Sequence, residues 1–174
     1  MLFRSWSTTN LQAILAHTYW WPYGESGLYR PLTTLTYLLD YAVFGHGERP
    51  AGYHLFNLGL HVVNVLLLWR VALRARLDRW AAVAAAALWA VLPLSTESVT
   101  NIVGRADLLA ATFALAALWL WLGPVPVAAV PDDGDGRAAG FARAMAVATC
   151  LTLGALAKES GIAMLGVLVV AEAC

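Results

Sequence analysis

The chain has 174 residues, 60% of them hydrophobic and 13% charged, and its acidic and basic side chains balance to a formal net charge of zero. Soluble domains carry about 25% charged residues, so this composition excludes an ordinary water-soluble domain and fits a multi-spanning membrane protein. A balanced chain also lacks the basic field that nucleic acid requires, and no nucleic-acid partner is expected.

Residues 1–51 precede any solidly apolar stretch. Their first part, MLFRSWSTTNLQAILAHTYWW, has no continuous apolar core of signal-peptide type. Trp20, Trp21, Tyr23 and Tyr29 suit the boundary between water and lipid. Leu32 to Phe44 is predicted to be a helix along the membrane surface or packed on the spans, with Asp40 on its water-facing side. Residues 52–174 then form a transmembrane bundle. A span needs about 20 mostly apolar residues, and stretches near 52–73, 80–94, 108–122, 141–157 and 161–174 qualify or nearly qualify. Pro93, Gly123-Pro124 and Gly161 punctuate their ends. The predicted fold is all-α: a polytopic bundle of about four to five spans with an amphipathic helical segment on its outer face.

Arg70, Arg74, Arg76 and Arg79 crowd the link between the first two spans, which places that link in the cytoplasm. The polar segment STESVTNIVGRAD, with Glu97, Arg105 and Asp107, then lies outside. Pro124 to Gly140 returns to the cytoplasm as a loop, and Lys158-Glu159 lies outside again. His54, Asn57, His61 and Asn64 are spaced 3, 4 and 3 apart, so they share one helical face near the same outer end. Polar and ionisable groups at the rim of hydrocarbon are costly unless they pair, reach water or do chemistry. Their convergence on one side points to a site. Asn64 fits either a pocket or interhelical hydrogen bonding, and Asp107 reads as a cap for the helix it begins. Gly104 permits a tight turn that fixes the Arg105 guanidinium, a group suited to two-pronged binding of phosphate. Lys158 and Arg30 add positive charge on that side. No metal site is expected, because no cysteine or acid has ligand spacing to the histidines.

Three segments carry a family resemblance: YRPLTTLTYLLDYAVFGHGERPAGYHLFNLGLH, PLSTESVTNIVGRADLLA and AKESGIAML. In this order and spacing they closely resemble the transmembrane O-mannosyltransferases that carry tetratricopeptide repeats, and their bacterial relatives, within the GT-C superfamily of polyprenyl-phosphate-sugar-dependent glycosyltransferases. The likeness runs from about Tyr19 to Leu165. It implies transfer of a sugar, mannose by family pattern, from a polyprenyl-phosphate-linked donor to a protein hydroxyl on the periplasmic or lumenal face, with inversion at the anomeric carbon. It also implies a pocket built from Arg30, His54, Asn57, Glu97, Arg105, Lys158 and Glu159. Arg105 and Lys158 are expected on the phosphate, and Glu97 on the acceptor or on Arg105.

In the family the acid usually cited as catalytic lies in the first outer loop, after a first helix absent from this chain. The chain is therefore expected to be part of a larger protein, lacking N- and C-terminal portions that include the repeats. Relatives read HP before the TE of the outer loop, whereas here Leu92 precedes Pro93. The competing classes are a non-catalytic membrane piece that scaffolds or binds lipid, and a transporter. Transporters place their charges at mid-bilayer in paired repeats; here charges sit at helix ends and no repeat is visible. The Ala/Arg/Leu-rich composition leans towards a bacterial inner membrane over an endoplasmic reticulum.

Overall fold

A computed structural model describes residues 5–24, 27–47, 49–123 and 135–173. Its helices are α1 (Thr8–Ala16), α2 (Pro31–Ala42), α3 (Pro50–Arg74), α4 (Arg79–Val91), α5 (Pro93–Thr100), α6 (Arg105–Trp121), α7 (Asp135–Ala157) and α8 (Ala163–Ala173). Short 3-10 turns at Ile102–Gly104 and Glu159–Ile162 lead into α6 and α8. No strand occurs among the described residues.

Local chemistry sets the ends. Proline opens α2, α3 and α5 at a position whose N–H has no helical partner to lose. Asp78 caps α4, its carboxylate accepting from the Trp80 and Ala81 amides at 3.2 and 3.0 Å. Gly123 ends α6 at φ 66°, the left-handed conformation that glycine adopts without a Cβ clash.

The all-α membrane reading holds. Three helical stretches among the described residues are long and apolar enough to cross a bilayer: Pro50–Arg74, Ile102–Trp121 and Ala138–Ala157. The expected second and fifth spans are shorter. With 13 and 11 residues, α4 and α8 extend only about 20 and 17 Å at 1.5 Å per residue, against a hydrocarbon core of about 30 Å. The chain breaks at Leu92, whose extended backbone (ψ 129°) and following proline separate α4 from α5. Of the expected loop from Pro124 to Gly140, residues 124–134 lie outside the described residues, and 135–140 already belong to α7. Exposed Leu55, Leu58, Val62, Val63 and Leu66 give α3 an apolar outer face suited to lipid.

Helices α3 and α6 run parallel, as the contacts Asn57–Asn101, Asn64–Leu108 and Arg74–Trp119 show. Helix α4 runs back along α3 and α7 back along α6, so the starts of α3 and α6 share one end of the bundle with the finishes of α4 and α7. At the opposite end Arg74 hydrogen-bonds the Trp119 carbonyl and lies 3.8 Å from the centre of the Trp119 ring. Asp40, expected to face water, is instead fully buried. The reason is that α2 turns its polar side inward, across the ends of its neighbours. Thr33 donates to the Ala157 carbonyl (2.8 Å) and Tyr37 to the Ile102 carbonyl (2.8 Å). The Ala157 carbonyl, last of α7, has no partner within its own helix, and α2 supplies one. The Ile102 carbonyl, which already accepts from the Arg105 amide, gains a second bond.

Candidate functional site

A cleft of about 620 Å³ opens at the end of the bundle where α3, α4, α5, α6 and the close of α7 meet. Its polar lining includes Arg30, Glu97, Ser98, Asn101, Asp107 and Lys158. Further along the helices it is walled by His61, Asn64, Trp89, Leu92, Leu108 and Ala111. A polar mouth thus continues into a partly apolar interior.

The cations at the mouth are held in pairs. The Arg30 Nε donates to Glu159 Oε2 at 3.0 Å and a second guanidinium nitrogen meets the other carboxylate oxygen. Arg30 also lies 5.6 Å from the centre of the Tyr19 ring. Donation from Arg30 holds the Glu159 carboxyl down at about 2, against an ordinary 4.5. Lys158 pairs with Asp107 in the first turn of α6. Adjacent residues Lys158 and Glu159 therefore turn to different neighbours. Asp107 does not cap α6, since Gly104 occupies the cap position without a side-chain bond. Glu97 is exposed on α5 and lines the cleft, and its carboxylate has no ion-pair or hydrogen-bond partner among the described residues. Leu92 lines the cleft.

Arg105 is placed differently from the sequence reading. It is the first residue of α6 rather than part of a loop, and it is fully buried. Its Nε donates to Asn57 Oδ1 (3.0 Å), one Nη to the Thr36 carbonyl (3.3 Å) and the other to the Tyr53 carbonyl (3.2 Å). The buried Asp40 carboxylate meets the same guanidinium as an ion pair, by close charge contact rather than a well-angled hydrogen bond. The rings of Tyr37, Phe56 and Tyr53 enclose it at 4.7, 4.4 and 5.7 Å from their centres. Arg105 is not among the residues that line the cleft. The glycine before it is needed for space: a Cβ on Gly104 would collide with the Ser98 backbone.

The polar face of α3 divides. Asn57 donates to the Asn101 carbonyl at 3.0 Å while accepting from Arg105, so one amide holds both ends of the 101–105 turn. The His61 ring bonds the Ala90 carbonyl at 3.2 Å. Asn64 donates to the Leu108 carbonyl (3.0 Å) and accepts from the Thr112 hydroxyl (2.7 Å), which is interhelical bonding at the cleft wall. His54, expected at the pocket, is exposed and outside the cleft lining, because its position lies at the edge of the arc that packs against α6. Among the described residues no group of three or more His, Cys, Asp or Glu is arranged to hold a metal.

Sequence reasoning missed Asp40, Thr33 and Tyr37. The signal was present: Arg30, Thr33, Tyr37 and Asp40 repeat the same 3, 4, 3 spacing as the polar residues of α3.

Comparison with known proteins gives consistent relatives. The protein O-mannosyl-transferase Tmtc3 of Drosophila melanogaster is 36% identical over 166 residues, covering 83% of this chain. The protein O-mannosyl-transferase TMTC4 of Mus musculus is 33% identical over 180 residues, covering 92%. The protein O-mannosyl-transferase Tmtc2 of Drosophila melanogaster reaches 46% over 87 residues, covering half of the chain. The chain spans 17% and 23% of the length of the first two relatives and 9% of the third. No protein-family model matches it, and no solved structure matches.

Proposed function

We propose, from the premise that the homologues of this chain are protein O-mannosyl-transferases, that it forms the cleft-bearing part of a multi-pass membrane glycosyltransferase. The donor is a polyprenyl-phosphate-linked sugar and the acceptor a protein hydroxyl. The cleft faces the periplasm or lumen, opposite the Arg70–Arg79 link, a reading supported by the excess of basic residues there. The composition favours a bacterial inner membrane, although the relatives named above are animal proteins.

The observation that carries this reading is the pairing of charge and shape at one rim. Arg30 and Lys158 stand at the mouth of a cleft whose inner wall is partly apolar, as a lipid-borne phosphate requires. In the transfer, the acceptor hydroxyl oxygen attacks the anomeric carbon as the bond from that carbon to the phosphate oxygen breaks. The hydroxyl proton passes to a carboxylate, and the leaving phosphate needs cations. Arg30 and Lys158 take the phosphate by exchanging partners with Glu159 and Asp107. Glu97, whose carboxylate has no partner among the described residues, orients the acceptor. Arg105 stands behind the cleft wall rather than on the ligand.

The test is transfer of radiolabelled mannose from a mannosyl-phospho-polyprenol to an acceptor protein, in membranes carrying the full-length protein. Arg30→Ala, Lys158→Ala and Glu97→Gln are each expected to lower the rate by about a hundredfold or more, the scale of losing one group that stabilises developing charge. Unchanged transfer in all three variants overturns the assignment.

A further inference from the structure

Helix α2 crosses the end of the bundle with Arg30 at one end of its polar face and Asp40 at the other. Between them Thr33 and Tyr37 bond the carbonyls of Ala157 and Ile102. Asp40 closes the row on Arg105, and Arg105 reaches through Asn57 to the Asn101 carbonyl. Asn101, Val103 and Gly104 line the cleft. The cation at the mouth and the Asn101–Gly104 part of the wall are thus referenced to one ion pair that is closed to solvent and lies outside the cleft lining.

A buried ion pair is a poor device for stability alone. The cost of removing both charges from water roughly cancels their attraction, and well-packed apolar residues do as well or better. What a guanidinium supplies and a hydrocarbon does not is fixed direction: here three nitrogens, two backbone carbonyls, an amide and a carboxylate define one pose. We infer that the Asp40–Arg105 pair is the positioning element of the cleft, setting the Asn101–Gly104 wall relative to Arg30 through Asn57 and α2. This inference rests on the proposed transfer reaction only for its catalytic consequence; the geometric part stands apart from it.

The experiment uses the full-length protein in membranes, with its native cysteines replaced and a reporter cysteine at Ser98, which lines the cleft beside Gly104. Arg105→Lys is the decisive variant, because it keeps the charge for Asp40 but cannot reproduce the bonds to Asn57, Thr36 and Tyr53 together. Three quantities are measured: the melting temperature, the maleimide labelling rate of the reporter, and kcat/KM for mannosyl transfer in the protein without the reporter. A positioning role predicts several-fold faster labelling and a loss of about a hundredfold in kcat/KM, the scale of an ångström of misplacement, with the melting temperature largely kept. Labelling and transfer at the parent rates in a folded Arg105→Lys protein overturn the inference. Should that variant fail to accumulate, Asp40→Asn, which preserves shape and removes the charge, is read by labelling in the same way. If the parent protein transfers no sugar, the functional reading fails, and the labelling rates still decide the positioning role.

Discussion

The polar faces of α2 and α3 carry the same 3, 4, 3 spacing, yet they invite opposite readings. In α3 the polar residues interrupt a strongly apolar stretch, and inward-facing contacts are the natural expectation. In α2 they sit in a short, mixed helix, where a charged residue ordinarily marks the watery side. The structure turns both faces inward. On α3, Asn57, His61 and Asn64 bond backbone groups of the 101–105 turn, α4 and α6. On α2, Thr33, Tyr37 and Asp40 bond helix ends and a buried cation. A short helix lying over the ends of others meets backbone carbonyls and a buried cation, not hydrocarbon, and its polar side faces them.

The sharpest way to break this equivalence is to remove Asp40. Asp40→Ala leaves Arg105 buried without its counter-charge, and a loss of about 3–5 kcal/mol is expected, measured as a fall in the thermal midpoint of the purified protein in detergent. A smaller loss than that of Asn64→Leu would place the important contacts on α3 alone. Asn64→Leu removes two interhelical bonds and is expected to cost about 1 kcal/mol, within the range found for polar contacts between membrane helices. The same melting series measures it.

The third test concerns the outer end of α2. The Glu159 carboxyl titrates lower in the folded chain than its ordinary 4.5, at about 2. Its pairing with Arg30 therefore contributes fully above pH 4.5 and is lost as pH falls from there towards 2. Because Glu159 is half exposed, the contribution is expected to stay below about 1 kcal/mol and to weaken with salt. Comparing the midpoints of the parent and Glu159→Gln across that range checks the sign; a difference that grows on acidification contradicts it. The smallest effect is expected at His54. It is exposed and lies outside the cleft, so His54→Ala should move stability by less than about 0.5 kcal/mol and leave mannosyl transfer at the parent rate.

The helices, their proline starts and the convergence of charge at one end were legible from apolar run length and punctuation. Pro93, already read as the end of an apolar stretch, follows the close of α4 at Val91. The rim was legible too: Arg30, Glu97 and Lys158 do share the cleft. What sequence alone did not yield was partnership. Nothing in the local pattern says that Arg105 meets a residue 65 positions earlier, because that contact depends on how α2 folds back over α6. His54 lies outside the cleft lining for a related reason: a shared helical face names an arc, and packing decides which edge of it is covered.

Lys158 and Glu159 stand side by side and reach in different directions, one to Asp107 and the other to Arg30. Transposing the two letters would change neither the mass of the chain nor its isoelectric point. It would nonetheless set acid against acid and base against base at both anchor points, so this corner of the molecule stores its information purely in word order.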